Sequence, residues 1–166
     1  MVFEVENDKK FKSYLAPKYK LIYKIGTASG LRVSDIIKLK KDQVANNNRP
    51  SIKAKKTGKV RRIFISQKTR ELIDDIIRAD VTGSTYLFPS PRNPKKHITR
   101  QSVYKAFQKA SLFAGIEHKI GTHCMRKKYA KRQFKKVHGD IFKVQKMLQH
   151  EKIGDTATYL IGAPKK

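Results

Sequence analysis

Four short stretches of the chain carry side chains of the kinds that act on phosphate groups. In Thr27-Ala28-Ser29-Gly30-Leu31-Arg32-Val33-Ser34-Asp35, an arginine opens a helix directly after a glycine turn. Lys55-Lys56-Thr57-Gly58-Lys59 places a lysine at a hairpin tip, and Thr122-His123-Cys124-Met125-Arg126 is a His-x-x-Arg at a helix start. Leu148-Gln149-His150 is followed nine residues later by Tyr159. Arginine offers planar, paired donors to non-bridging phosphate oxygens and keeps its charge. Imidazole moves protons near neutral pH. Taken singly, each residue has an ordinary place: a lone arginine at a helix start is usually a surface residue, and a lone tyrosine usually packs with its hydroxyl outward.

The elements that must hold these residues follow from apolar spacing. Helical periodicity covers 7–14 and 17–28, with Pro17 suited to a first turn, and Ser29-Gly30 breaks it. A further helix is predicted over 31–41, with Leu31, Ile36, Ile37 and Leu39 inward. The period then changes. Residues 51–55 and 60–65 read as strands joined by the Lys56-Thr57-Gly58-Lys59 turn, with another short strand at 42–45 and a turn at Asn46–Pro50. Helices return at 68–79, at 99–113 with Thr99 as its cap, and at 123–137, 139–149 and 155–161; Pro89–Pro94 is a loop. The predicted class is mainly α with a small antiparallel β-meander (α+β), in one domain spanning 1–166.

Charge names the kind of partner. Lys and Arg number 39 against 13 Asp and Glu in 166 residues, a net charge of +26. With 39% hydrophobic residues, 8 Phe and 7 Tyr, the chain is too apolar for a disordered basic tail. Six of the ten residues Lys53–Arg62 and seven of the eleven residues Arg126–Lys136 are basic, and Arg92, Lys95, Lys96 and Arg100 form a third group. Such runs are ordinarily solvated faces. Here so large a charge repels itself in the compact state, so a polyanion, nucleic acid, is the expected partner, bound with an affinity that falls steeply with salt. No apolar run is long enough to span a bilayer, and the N-terminus has no signal-peptide core. The single Cys124 cannot make an internal disulfide or a cysteine zinc site and reads as a small buried hydrophobe. A cytoplasmic protein is expected.

In this order and spacing, the four stretches resemble the catalytic domain of the tyrosine recombinases, the phage-integrase family, from about Lys18 to Ile161. The resemblance implies an integrase-type enzyme that cleaves and rejoins double-stranded DNA through a 3′-phosphotyrosine. Arg32 and Arg126 would clamp the phosphate, doing without metal what divalent ions do elsewhere. Lys56 would be the general acid for the leaving 5′-oxygen, although Lys53, Lys55 and Lys59 stand beside it. His123 fits either a proton acceptor or a phosphate contact, and His150 a donor to the phosphate. Tyr159 would be the nucleophile, with Tyr14, Tyr19, Tyr23, Tyr86, Tyr104 and Tyr129 as rivals lacking its context. No metal, cofactor or ATP is implied, and other recombinase protomers, assembled as a tetramer on DNA, would be partners. Asp35 either orients a catalytic Arg or His or is an acid favoured by the start of its helix.

The sequence departs from the family pattern in places. Gln149 stands where glycine commonly precedes the second histidine, and Ser29 replaces a common threonine. The DNA-grasping domain that generally precedes the catalytic one is expected to be absent from this chain, and Leu160–Lys166 is short for a helix donated to a neighbour. Two rival functions remain open: a type IB topoisomerase-like nicking and closing activity, which would relax circles without recombinants, and a non-catalytic basic nucleic-acid module, which would never form a covalent adduct.

Overall fold

Two antiparallel strands and a set of helices make up the computed structural model, which describes residues 5–54, 57–117 and 120–161. Helix α1 (Val5–Ser13) leads into α2 (Pro17–Ser29), which starts on Pro17 as predicted. Gly30 ends α2 in a left-handed conformation, φ 67°, with its N–H on the Gly26 carbonyl at 2.8 Å.

The single helix predicted over 31–41 is instead two short pieces, α3 (Val33–Ile36) and α4 (Lys41–Val44). The backbone between them is drawn off to another segment: Lys41 N–H donates to Thr85 O and Leu87 N–H to Leu39 O, each at 2.9 Å. The strand expected at 42–45 is therefore the helical turn α4. Buried Arg70 fixes this corner by donating to the carbonyls of Val44 and Asn47 (the latter at 2.6 Å), which leaves those carbonyls no role in a strand ladder.

The predicted hairpin is present, shorter than expected. Strands β1 (Ser51–Lys53) and β2 (Val60–Arg62) pair antiparallel with Ile52 opposite Arg61. Beyond them, Ile63 and Ile65 N–H reach Pro50 O and Asn48 O. Helix α5 (Gln67–Arg78) follows, then a loop through Pro89–Pro94, then α6 (Arg100–Phe113), capped as predicted by Thr99, which accepts from Ser102 N–H at 3.0 Å. The last helices are α7 (Cys124–Lys136), α8 (Ile141–Leu148), capped by Asp140, and α9 (Ile153–Ile161).

The main core joins α1, α2 and α6 through Phe11, Tyr23 and Phe107, whose rings meet edge to face at 5.3–5.8 Å. Helix α7 lies across α2 at Gly26, where a Cβ would sit 2.4 Å from Met125 Sδ. Only glycine permits that approach. A smaller cluster of Tyr129, Ala130, Val144 and Leu148 gathers α8 and α9 onto α7, with Tyr159 and Leu160 packed against it.

Candidate active site

Arg126 sits at the centre of the site, only 3% exposed. Its position three residues after His123 puts both on the first turn of α7. The guanidinium donates to Gly30 O and, at 2.9 Å, to Leu148 O, which joins the end of α2 to the end of α8. Burial first, and Arg32 next, push its pKa down to about 10, so it stays charged at neutral pH.

The same guanidinium lies 3.0 Å from His150 Nε2. A guanidinium only donates, so Nε2 must accept. The ring proton is then on Nδ1, which donates to Thr156 Oγ1 at 3.0 Å, and Thr156 is wholly buried. Burial, and then the charges of Arg126 and Arg32, lower the His150 pKa to about 4, which matches this neutral tautomer. As placed, His150 supports Arg126; donating to a phosphate would take a proton on Nε2 and release of Arg126. Gln149, the residue in place of glycine, caps α8 in the left-handed region at φ 55° and so sets the direction in which His150 leaves the helix.

Tyr159 is carried by α9, and its ring stands edge-on to His150, with centroids 5.0 Å apart. Its hydroxyl is 2.9 Å from His123 Nδ1. Burial, then Arg126, Lys127, Arg32 and Arg100, hold His123 below its ordinary range. A neutral imidazole can accept the phenol's hydrogen bond and, in a reaction, its proton. The buried rivals are committed elsewhere, Tyr23 to Asp8 at 2.6 Å and Tyr129 to Arg61 at 2.9 Å.

Arg32 lines a small recess of about 70 Å³ with Ser34, Arg100, Thr122, His123 and Arg126. The site thus unites Arg32, His123, Arg126, His150 and Tyr159 from the start of α3, α7, α8's end and α9. Lys56 lies outside the described residues. A larger apolar groove of about 450 Å³ beside Phe134, Ile141 and Leu160 contains none of these residues. Asp35 is buried and stands in the first turn of α3, as the helix-start reading expects. Cys124 packs against the core as expected, and burial pushes its thiol up to about 12, which makes it a poor nucleophile.

Sequence reasoning missed Arg61, Arg100, Tyr129 and Thr156 as members of this neighbourhood. Arg61 could have been found: strand alternation puts it on the face of Ile63 and Ile65, which are buried. Arg100, at the start of the helix capped by Thr99, read only as one more member of a basic group.

The profile described as the phage integrase family matches residues 5–165. The chain belongs to that family. The integrase class expected from the sequence is met at this level. A relative from Bacillus subtilis (strain 168) described as "Probable integrase/recombinase YoeC" is 31% identical over 159 residues, covering 94% of this chain and 86% of the relative. Among solved structures of integrase-family folds, the XerA recombinase superposes with a TM-score of 0.79 at 19% identity, over 100% of this chain and 60% of that one. The XerH site-specific recombinase, described as a pre-cleavage complex with its difH substrate, gives 0.73 at 22% identity, over 94% of this chain and 49% of that one. The chain spans about half to three-fifths of those two structures. These likenesses confirm the mainly helical class with a small antiparallel sheet. Among the described residues, no helix is long and apolar enough to cross a membrane.

Proposed function

We propose that this chain is the catalytic domain of a site-specific DNA recombinase, working in the cytoplasm on double-stranded DNA together with other recombinase protomers. The observation that carries this reading is the Tyr159 hydroxyl held 2.9 Å from His123 Nδ1, beside Arg126 and His150. The +26 charge supports the choice of DNA, as does a structural neighbour, the lambda integrase, which is described as bound to DNA.

In the proposed reaction the Tyr159 oxygen attacks a backbone phosphorus and passes its proton to His123. Arg32 and Arg126 hold the non-bridging oxygens and offset the charge that grows on them. The bond from phosphorus to the 5′-oxygen breaks, and Lys56 supplies the proton that this oxygen takes up. The 3′-phosphotyrosine conserves the energy of the broken ester, so a 5′-hydroxyl from another strand can reverse the step without ATP. The charge on the arginines replaces that of a metal ion, so a chelator is expected to leave cleavage intact.

The test uses nicked duplexes of randomised sequence, from which the short 5′ fragment diffuses away after cleavage. Wild type should leave a protein–DNA adduct on a denaturing gel. Tyr159→Phe should abolish it while DNA affinity stays close to wild type, since only a hydroxyl is lost. An adduct that survives Tyr159→Phe would overturn the nucleophile, and no adduct with wild type would favour a binding module. Recombinant circles, rather than relaxed ones alone, separate strand exchange from nicking and closing.

A further inference from the structure

Arg61 has no role in the reaction as described, yet it is held more firmly than a hairpin cation in a basic stretch needs to be. It faces inward from β2, across from Ile52. Its Nη2 donates to Tyr129 Oη at 2.9 Å, and its guanidinium lies 5.2 Å from the centre of the same ring. Burial is the main influence on Arg61 and depresses its pKa; Tyr129 opposes this and Arg32 adds to it.

Tyr129 is a junction. It is one turn beyond Arg126 on α7. Its ring closes on Gly30, where a Cβ would come within 2.5 Å of Tyr129 Cδ1. Arg132 lies over the ring at 5.7 Å and donates to Ala28 O at 3.1 Å. The end of α2 that precedes Arg32, the helix that carries His123 and Arg126, and strand β2 therefore meet at one aromatic side chain. Ile52, Ile63 and Ile65 seat the base of the hairpin in the main core, and the Arg61–Tyr129 contact adds a tie from β2 to α7.

We propose that Arg61 is a positioning residue: clasped on Tyr129, it fixes β2 against α7. This rests on the function proposed above, in which Lys56, just before β2 in the chain, supplies the acid. Arg61 acts on that proton transfer through the strand, and touches neither the leaving oxygen nor the nucleophile.

The test uses the cleaved sequence recovered from the randomised pool, made with either oxygen or sulfur at the scissile 5′ position. A thiol is far more acidic than an alcohol, so the phosphorus–sulfur bond breaks without a proton donor. On the oxygen substrate, Arg61→Ala should slow adduct formation by roughly 10–100-fold, the scale of a misplaced group. Tyr129→Phe, which keeps the ring against Gly30, should slow it by a smaller factor. On the sulfur substrate both should return to the wild-type rate, as should Lys56→Ala. Equal slowing on both substrates would overturn the inference, because Arg61 would then act on the phosphate or on folding. So would an unchanged rate on oxygen. Failure of sulfur to rescue Lys56→Ala would remove the acid itself and the inference with it. A fault in the nucleophile assignment would show separately, as an adduct in Tyr159→Phe.

Discussion

Two apolar clusters of unequal size hold the two sides of the candidate site. Among the described residues the larger contains 25 buried side chains and leads, through Leu31 and Ile36, to Arg32. The smaller contains four and carries His150 and Tyr159 on α8's end and α9. Stability spreads unevenly over a fold, and regions with few buried contacts open at the lowest free energy. Arg32, half of the proposed phosphate clamp, is thus expected in the part of the molecule that opens last, and Tyr159, the proposed nucleophile, in the part that opens first. Helix α7 belongs to both, since Met125 is in the larger cluster and Tyr129 in the smaller, with Arg126 between them. Under the proposed function, in which Tyr159 is seated on a phosphate and that phosphate is later freed for another strand, this division would be an advantage.

The largest effect should come from cutting the tie between the two regions. Arg126→Ala should slow adduct formation by about 10²–10³-fold, as when one oxyanion donor is lost. It also leaves the Gly30 and Leu148 carbonyls without this donor, at about 1–3 kcal/mol for each buried group left unsatisfied. Urea unfolding and adduct kinetics should therefore both move. A rate loss with unchanged stability would show that the guanidinium does not join the regions.

Next comes a matched pair of core truncations. Phe107→Ala in the larger cluster should cost about 3–5 kcal/mol, and Leu148→Ala in the smaller about 2–5 kcal/mol. At a temperature well below either melting midpoint, Phe107→Ala should cleave at close to the wild-type rate. Leu148→Ala should be slow, because the residue lies two positions before His150. Equal rates in the two variants would break the comparison.

The seam itself is tested by Gly26→Ala. The new Cβ meets Met125 Sδ at 2.4 Å and Met125 Cβ at 2.9 Å, so α7 must shift. A loss of about 1–3 kcal/mol in thermal or urea unfolding is expected, the usual scale of overpacking.

The smallest effect concerns pH. His150 has a folded pKa near 4, below the value of about 6.5 for a free imidazole. The unfolded chain therefore binds a proton that the folded chain refuses. The stability contributed by neutral His150 is complete above about pH 6.5 and is lost as pH falls toward 4. Unfolding midpoints for His150→Gln should fall less than wild type across that window. Identical profiles would place the His150 proton elsewhere.

The residues that the structure brings together at the candidate site were legible in the sequence because each stands at a fixed offset from a local signal. Arg32 follows a glycine turn, His123 and Arg126 share one helical turn, and Tyr159 lies nine residues past His150. Most of the residues that support them were not, because their partners are far away along the chain; Thr156, six residues from His150, is the exception. Tyr129 reaches Arg61 across 68 positions, and Arg126 reaches Gly30 across 96. The failed helix over 31–41 has the same cause. Its apolar spacing was sound and its inward residues are buried, but backbone donors and acceptors at Leu39 and Lys41 found Leu87 and Thr85. A local pattern cannot show a competitor more than forty residues away.

Asp8 takes a 2.6 Å hydrogen bond from Tyr23 and ion pairs from Lys128 at 2.6 Å and Lys12 at 3.0 Å. Burial alone would raise its pKa, but these three donors outweigh it and keep the carboxyl below its ordinary range. In a molecule with three basic residues for every acid, a carboxylate placed inside as a fastener does nothing to quiet the lysines left on the surface. Their mutual repulsion is relieved only from outside. Dilute buffer should therefore be the harshest medium for the isolated chain, and dissolved salt should raise its melting point while loosening its grip on a polyanion. A bound DNA backbone would supply the same screening at close range. By linkage, DNA and the folded state then stabilise each other, and the protein should be at its sturdiest when it is at work.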